Sequence, residues 1–133
     1  MRLSTFVALV IAASLAACRP SMHTFPNDVN GDVFRRMAAG GDDLSKSRDV
    51  DFEFLFVDEQ KAKGFAEEAR ANLGMDGKIK PYGEGGVWQA TVTKQMLPTY
   101  VGISALEQTL IRLAKPYGGK PDGWGSFQVN KLK

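Results

Sequence analysis

The stretch of residues 116–127 (PYGGKPDGWGSF) restricts the possible folds more than any other part of the chain. It holds four glycines, two prolines and three aromatic residues in twelve positions. Glycine allows positive-φ conformations and close backbone approach, whereas proline fixes φ and ends a preceding helix. The stretch therefore predicts a long shaped turn that leads into a final aromatic strand over residues 124–129.

The length and composition are those of one ordinary globular domain. The chain has 133 residues, of which 44% are hydrophobic and 24% are charged, so it can bury a core without disulfides or metal. Its formal net charge of +2 is small. Because nucleic-acid-binding proteins carry clustered Lys and Arg, no nucleic-acid partner is expected.

The first residues have the pattern of a bacterial lipoprotein signal. Arg2 gives a basic start, and residues 6–17 form an uncharged apolar run that ends in small residues before Cys18. The run is shorter than the roughly 20 apolar residues of a transmembrane helix, and it has the proportions of a secretory signal. We expect residues 1–17 to be removed as a signal peptide and the Cys18 thiol to carry lipid.

The lipidation hypothesis also predicts where the protein resides. Residues 18–26 would form a lipidated tether that holds the protein on a membrane of the cell envelope. Lipoproteins with Asp after the cysteine tend to stay on the inner membrane, whereas Arg19 stands here. The periplasmic face of the outer membrane is therefore favoured in a Gram-negative host. The alternative is an unmodified Cys18 near the end of an ordinary signal peptide.

Apolar periodicity predicts an α+β domain over residues 27–129, followed by a short tail at 130–133. Phe52, Phe54 and Phe56 alternate with polar or smaller residues, which predicts a strand with one buried aromatic face. Helical spacing is found over 27–39, 58–73 and 98–115, and strand alternation over 51–57, 78–82, 87–94 and 124–129. This order predicts a ferredoxin-like sandwich, β-α-β-β-α-β with an extra N-terminal helix, whose helices cover one face of an antiparallel sheet.

Several segments together carry a resemblance to a known family. They are RDVDF at 48–52, FAEEA at 65–69, VTKQMLPT at 92–99, PYGG at 116–119 and DGWG at 122–125. In this order and spacing they resemble the RraB family, which regulates (inhibits) ribonuclease E, and the likeness covers residues 26–127. The resemblance implies a ferredoxin-like fold and a non-catalytic regulatory domain that binds protein.

The signal sequence bears on which protein is bound. Inhibitors of the RraB family are cytosolic, acidic proteins, and ribonuclease E is also cytosolic. This chain, in contrast, is nearly neutral and carries an export signal. The sequence therefore predicts an unidentified protein partner in the envelope. Ribonuclease E is expected as the partner only if the signal is not processed and the protein stays in the cytosol.

Residues for catalysis are sparse. The chain has one histidine and one cysteine, and Cys18 is the expected lipid acceptor. Without a second His or Cys, no zinc or Cys-His arrangement can be assembled in the mature chain, and no cofactor or metal is expected. The alternative is a small envelope hydrolase or ligand-binding protein that uses the Gly-rich loop and a carboxylate pair such as Asp49 with Asp122. An ordered apolar cleft beside that loop with a carboxylate of raised pKa would favour this alternative, and a flat exposed aromatic patch there would favour partner binding.

The loop supplies the candidate partner-binding residues Tyr117, Lys120, Asp122 and Trp124. Tyr and Trp are enriched in binding hot spots, so the side chains of Tyr117 and Trp124 could form a recognition surface. Burial in the core is the competing prediction for Trp124. Asp122, which precedes a glycine, could simply accept backbone hydrogen bonds within a turn.

Overall fold

A computed structural model describes residues 24–132, and the signal, Cys18 and most of the tether lie outside this range. The described part contains three α-helices and four strands. They are α1 (Val29–Ala39), β1 (Arg48–Phe56), α2 (Glu59–Leu73), β2 (Asp76–Tyr82), β3 (Val87–Met96), α3 (Tyr100–Ala114) and β4 (Lys120–Ser126), with a 3-10 turn at Lys115–Tyr117. Within residues 24–132, no helix is long and apolar enough to cross a bilayer.

The four strands form one antiparallel sheet in the order β2-β3-β1-β4. Strands β1 and β3 occupy the centre, and each βαβ-like half places its second strand at an edge. This is the β-α-β-β-α-β arrangement of a ferredoxin-like α+β sandwich with α1 added before it. The predicted fold class is therefore confirmed.

The two faces of the sheet differ in burial. On β1, Phe52, Phe54 and Phe56 are buried, and the rings of Phe54 and Phe56 lie 4.9 and 5.2 Å from the ring of Phe65 on α2. Helices α1 and α3 add Phe34, Ile103, Leu110 and Ala114 to the same core. We call this the helix side. The other side, which no helix covers, is the open face; its β1 residues are Asp49, Asp51, Glu53 and Leu55.

The boundaries of α1 and α2 follow from local capping. The Asp28 carboxylate accepts a 2.7 Å hydrogen bond from the Gly31 N–H, and the Asp58 carboxylate accepts one of 2.8 Å from the Lys61 N–H. Helix α2 ends at Gly74, whose φ of 63° lies in the left-handed region that glycine favours. Side-chain caps thus fix where α1 and α2 begin.

The prediction of a long turn before a strand at 124–129 was wrong. Pro116 lies in the 3-10 turn, Gly118 reverses the chain with φ of 69°, and β4 starts at once with Lys120. Pro121 is tolerated because β4 is an edge strand, where one N–H needs no ladder partner. A bulge then interrupts the pairing of β4 with β1 between Glu53 and Phe54. Half of the glycines and prolines that suggested a loop, namely Pro121, Gly123 and Gly125, therefore belong to an irregular edge strand.

A buried ion pair joins the loop before β1 to the end of the chain. Arg48 Nη1 lies 2.6 and 2.8 Å from the two carboxylate oxygens of Asp42, and the two side chains are only 5% and 3% exposed. Arg48 Nη2 also donates to the Asp43 carbonyl at 2.6 Å, and Nη1 to the Phe127 carbonyl at 3.2 Å. The Val129 N–H donates to Asp42 at 3.2 Å.

Candidate functional site

The four residues predicted as a partner-binding loop do not form one surface. Trp124 pairs with Phe52 and therefore lies on the helix side, whereas Lys120 pairs with Leu55 on the open face. Asp122 occupies the bulge between these two pairs. Tyr117 precedes the strand and packs against α2, as described below. The structure thus brings Lys120 and Asp122 to the open face and places Tyr117 and Trp124 on the helix side.

Trp124 has a structural role that combines packing with one hydrogen bond. Its ring centroid lies 5.5 Å from that of Phe34, and its indole Nε1 donates a 2.9 Å bond to the Asn30 side-chain oxygen. The Asn30 amide nitrogen donates 3.1 Å bonds to Ser104 Oγ and to Glu107 Oε1. Asn30 therefore joins α1, α3 and β4. No local sequence pattern marks this role of Asn30, because its partners are 74–94 residues away.

Tyr117 fastens the turn before β4 to α2. Its hydroxyl donates a 2.6 Å bond to Glu68 Oε1, and its ring fills the space beside Gly64. A Cβ atom at position 64 would lie 2.4 Å from the Tyr117 ring, so this glycine leaves room for the aromatic side chain. The hydrogen bond to Glu68 is the main reason that the pKa of Tyr117 is raised above its usual value.

The raised pKa of Tyr117 predicts a loss of stability at high pH. Because the folded protein holds the phenol protonated, its contribution is fully present below about pH 10, the usual tyrosine pKa, and is lost as pH rises through the higher folded value. Urea unfolding at several pH values above 9 should therefore show a shallower decline for Tyr117→Phe than for the wild type. Glu68→Gln, which removes the carboxylate acceptor, should behave like Tyr117→Phe. Equal slopes for all three proteins would contradict the prediction.

The open face has an apolar end beside Lys120. A pocket of about 210 Å³ is lined here by Leu55, Phe56, Val57, Val87, Gly118 and Lys120. None of these lining residues is a carboxylate. Tyr82, which pairs with Val87, is 45% exposed next to them. The surface beside the candidate loop is therefore mostly apolar, with the charge of Lys120 at its border.

The predicted carboxylate pair is not brought together. Asp49 pairs with Gln95 at one end of β1, whereas Asp122 lies at the bulge next to Glu53. Four residues of strand, about 13 Å, separate these positions along β1. Asp122 instead accepts a 3.5 Å hydrogen bond from Gln89, which is buried with 4% exposure. Among residues 24–132 no cluster of His, Cys, Asp and Glu could hold a metal ion.

A second groove, of about 470 Å³, lies between α1 and α3. Here the Tyr100 hydroxyl donates to the Asp28 carboxylate. This bond lowers the pKa of Asp28 and raises that of Tyr100. Asn30 and Glu107 also line the groove, and they are joined by the hydrogen bond already described. The groove is thus the polar junction of the two helices.

Comparison with known proteins identifies the domain. The sequence profile of the family described as "Regulator of ribonuclease activity B" (RraB) matches residues 27–126, well over half of the chain. The match begins just before the Asp28 cap and ends with the last residue of β4. No curated protein matches the chain significantly. The chain therefore belongs to the RraB family, as the sequence segments predicted.

Proposed function

We propose that this chain is a lipid-anchored regulatory protein of the cell envelope, whose RraB domain acts by binding a protein partner and not by catalysis. The observation that carries the regulatory role is the family match, which spans every helix and strand of the described fold. The absence of a carboxylate from the pocket lining beside Lys120 agrees with binding. The partner itself is an unidentified envelope protein.

The anchoring part of the proposal rests on the sequence before the domain. Leu15 and two alanines at 16–17 lead to Cys18 at the end of an uncharged apolar run, which is the arrangement that lipoprotein processing requires. Two or three acyl chains, at about 0.8 kcal/mol per buried methylene, hold a protein on a bilayer almost permanently. Export would also separate the domain from cytosolic ribonucleases, and Arg19 favours the outer membrane.

Intact-mass analysis of the native protein tests the anchoring. We expect loss of residues 1–17 and addition of acyl mass at Cys18, together with recovery in the membrane fraction. Cys18→Ser should show neither cleavage before residue 18 nor acyl mass, because a hydroxyl does not replace the thiol as the lipid acceptor. Ser21→Ala, a substitution of similar size outside the apolar run, should be processed normally. A full-length, soluble native protein would overturn the anchoring.

A second candidate function is favoured by the family description. A protein that keeps residues 1–17 and remains in the cytosol could regulate a ribonuclease directly, as the family is described to do. In that case, adding the purified chain to ribonuclease E should slow RNA cleavage. Cleavage at an unchanged rate, together with acylated Cys18, would leave the envelope partner as the target. No feature of the described residues favours the hydrolase alternative.

A further inference from the structure

The open face carries charged side chains in separate columns. Asp49, Asp51 and Glu53 follow one another on central β1, whereas Lys78 and Lys80 lie on edge strand β2. Asp51 accepts a hydrogen bond from Thr93. Among residues 24–132, the ion pairs involve other residues, so none of these five charges is neutralised by a salt bridge. Lys120 and Asp122 reach the same face from edge strand β4. The central strand of the face is therefore acidic, and the lysines stand at its two edges.

The open face is apolar near the C-terminal end of β1. Val57 is 67% exposed and lies next to half-buried Leu55 and Val87, with Tyr82 beyond them at the edge. These residues surround the 210 Å³ pocket or stand directly beside it. An exposed apolar cluster that borders a column of unpaired carboxylates is typical of a surface that meets another molecule.

The edges of the sheet are poorly suited to binding by strand addition. Strand β2 carries Lys78, Lys80 and Pro81, and β4 carries Pro121 and the bulge. Lysine, proline and bulges at edge strands prevent another strand from pairing. A partner is therefore expected on the open face and not at either edge.

A second copy of the chain fits this face poorly. Four strands spaced about 4.8 Å apart and about seven residues long at 3.3 Å each give a face of roughly 400 Å². A stable interface needs about 800 Å² on each partner. Two such faces packed together would thus cover about half of this area, which is too little for a stable dimer.

A single-stranded nucleic acid also fits poorly. Sheets that bind single strands present aromatic rings on their central strands, together with positive charge. The corresponding open-face positions are Asp51, Glu53 and Leu55 on β1 and Gln89 and Thr91 on β3. Carboxylates at these positions repel phosphate, so the chemistry of the face selects a cationic ligand.

We propose that the open face is the docking surface for a basic segment of a protein partner, anchored by apolar side chains on Leu55, Val57 and Val87. This inference rests on the protein-binding role proposed above. From Leu55, Glu53 lies about 7 Å along β1 and Asp49 about 20 Å. If the bound segment is a helix, these distances correspond to about one to four turns. Its Lys or Arg side chains would therefore lie one to four turns from the apolar residue that contacts Leu55.

A display selection tests this surface with a defined probe. A library of random peptides of about 16 residues, long enough as a helix to span the face, is selected against the full chain in detergent. We expect enriched peptides to combine Leu, Ile or Phe with several Lys or Arg. In fluorescence anisotropy, Val57→Asp should weaken their binding about tenfold, because a charge enters the apolar anchor site. Glu53→Lys should weaken it about threefold.

Matched variants on the helix side provide the controls. Val101→Asp changes a residue on α3 that is 75% exposed, and Glu67→Lys reverses an exposed charge on α2. Both should alter the affinity by less than about twofold.

Failure to enrich any peptide would overturn the protein-binding role and this surface together. Peptides that are acidic, or whose binding responds to the helix-side variants alone, would overturn the surface but leave the role. Tight binding of an oligouridine, weakened by Val57→Asp, would also overturn it in favour of nucleic acid.

Discussion

Replacing Arg48 with Met should lower the free energy of unfolding by about 3–5 kcal/mol. The substitution would leave the Asp42 carboxylate, only 3% exposed, without its cationic partner. Removing one member of a buried pair costs this much because the remaining charge has lost both water and its counterion. The Asp43 and Phe127 carbonyls would also lose a donor. Urea unfolding monitored by circular dichroism measures the change.

The reference for this prediction is an exposed ion pair in the same protein. Lys63 Nζ lies 2.9 Å from Glu59 Oε1, and these side chains are 52% and 44% exposed. Lys63→Met should therefore cost less than about 1 kcal/mol. Arg48→Met combined with Asp42→Leu should recover part of the loss, since no buried charge then remains unpaired. A cost for Arg48→Met as small as that for Lys63→Met would show that the buried pair does not stabilise the fold.

Gly119→Ala should lower the free energy of unfolding by about 1–3 kcal/mol. A Cβ atom at this position would lie 2.5 Å from the Phe56 ring and 2.8 Å from Ala114 Cβ. Both neighbours are buried in the core, so neither can yield without disturbing its own packing. The same urea-unfolding assay measures the effect.

Gly125, which lies within β4, offers a matched control. A Cβ atom there would meet nothing within 4 Å, and its backbone is not in the left-handed region. Gly125→Ala should therefore change stability by no more than about 0.5 kcal/mol. Equal effects at positions 119 and 125 would mean that contact with Phe56 and Ala114 does not account for the loss.

Much of the fold could be predicted because it depends on local patterns. The alternation of Phe52, Phe54 and Phe56 defines a buried face by itself. The caps at Asp28 and Asp58 act within three residues. Strand β4 could not be predicted in the same way, since its two glycines and its proline are residues typical of a turn. Only its pairing with β1 makes this segment a strand.

The candidate site was predicted less well, because its contacts join distant parts of the chain. Trp124 was expected either in the core or on a recognition surface, and its bond to Asn30 spans 94 residues. The pairing of Arg48 with Asp42 depends on burial by the C-terminal segment, which a local pattern does not show. The open face was visible in the alternation of β1, but its apolar end requires the register between β1, β3 and β4.

The bulge at Asp122 changes which side chains of β4 lie on each side of the sheet. Lys120 and Trp124 are four residues apart, and an unbroken strand would send both side chains to the same side of the sheet. The extra residue reverses this relation, so Trp124 joins the core beside Phe52 while Lys120 faces solvent beside Leu55. One short segment thereby contributes to the stability of the domain and to the composition of its exposed surface.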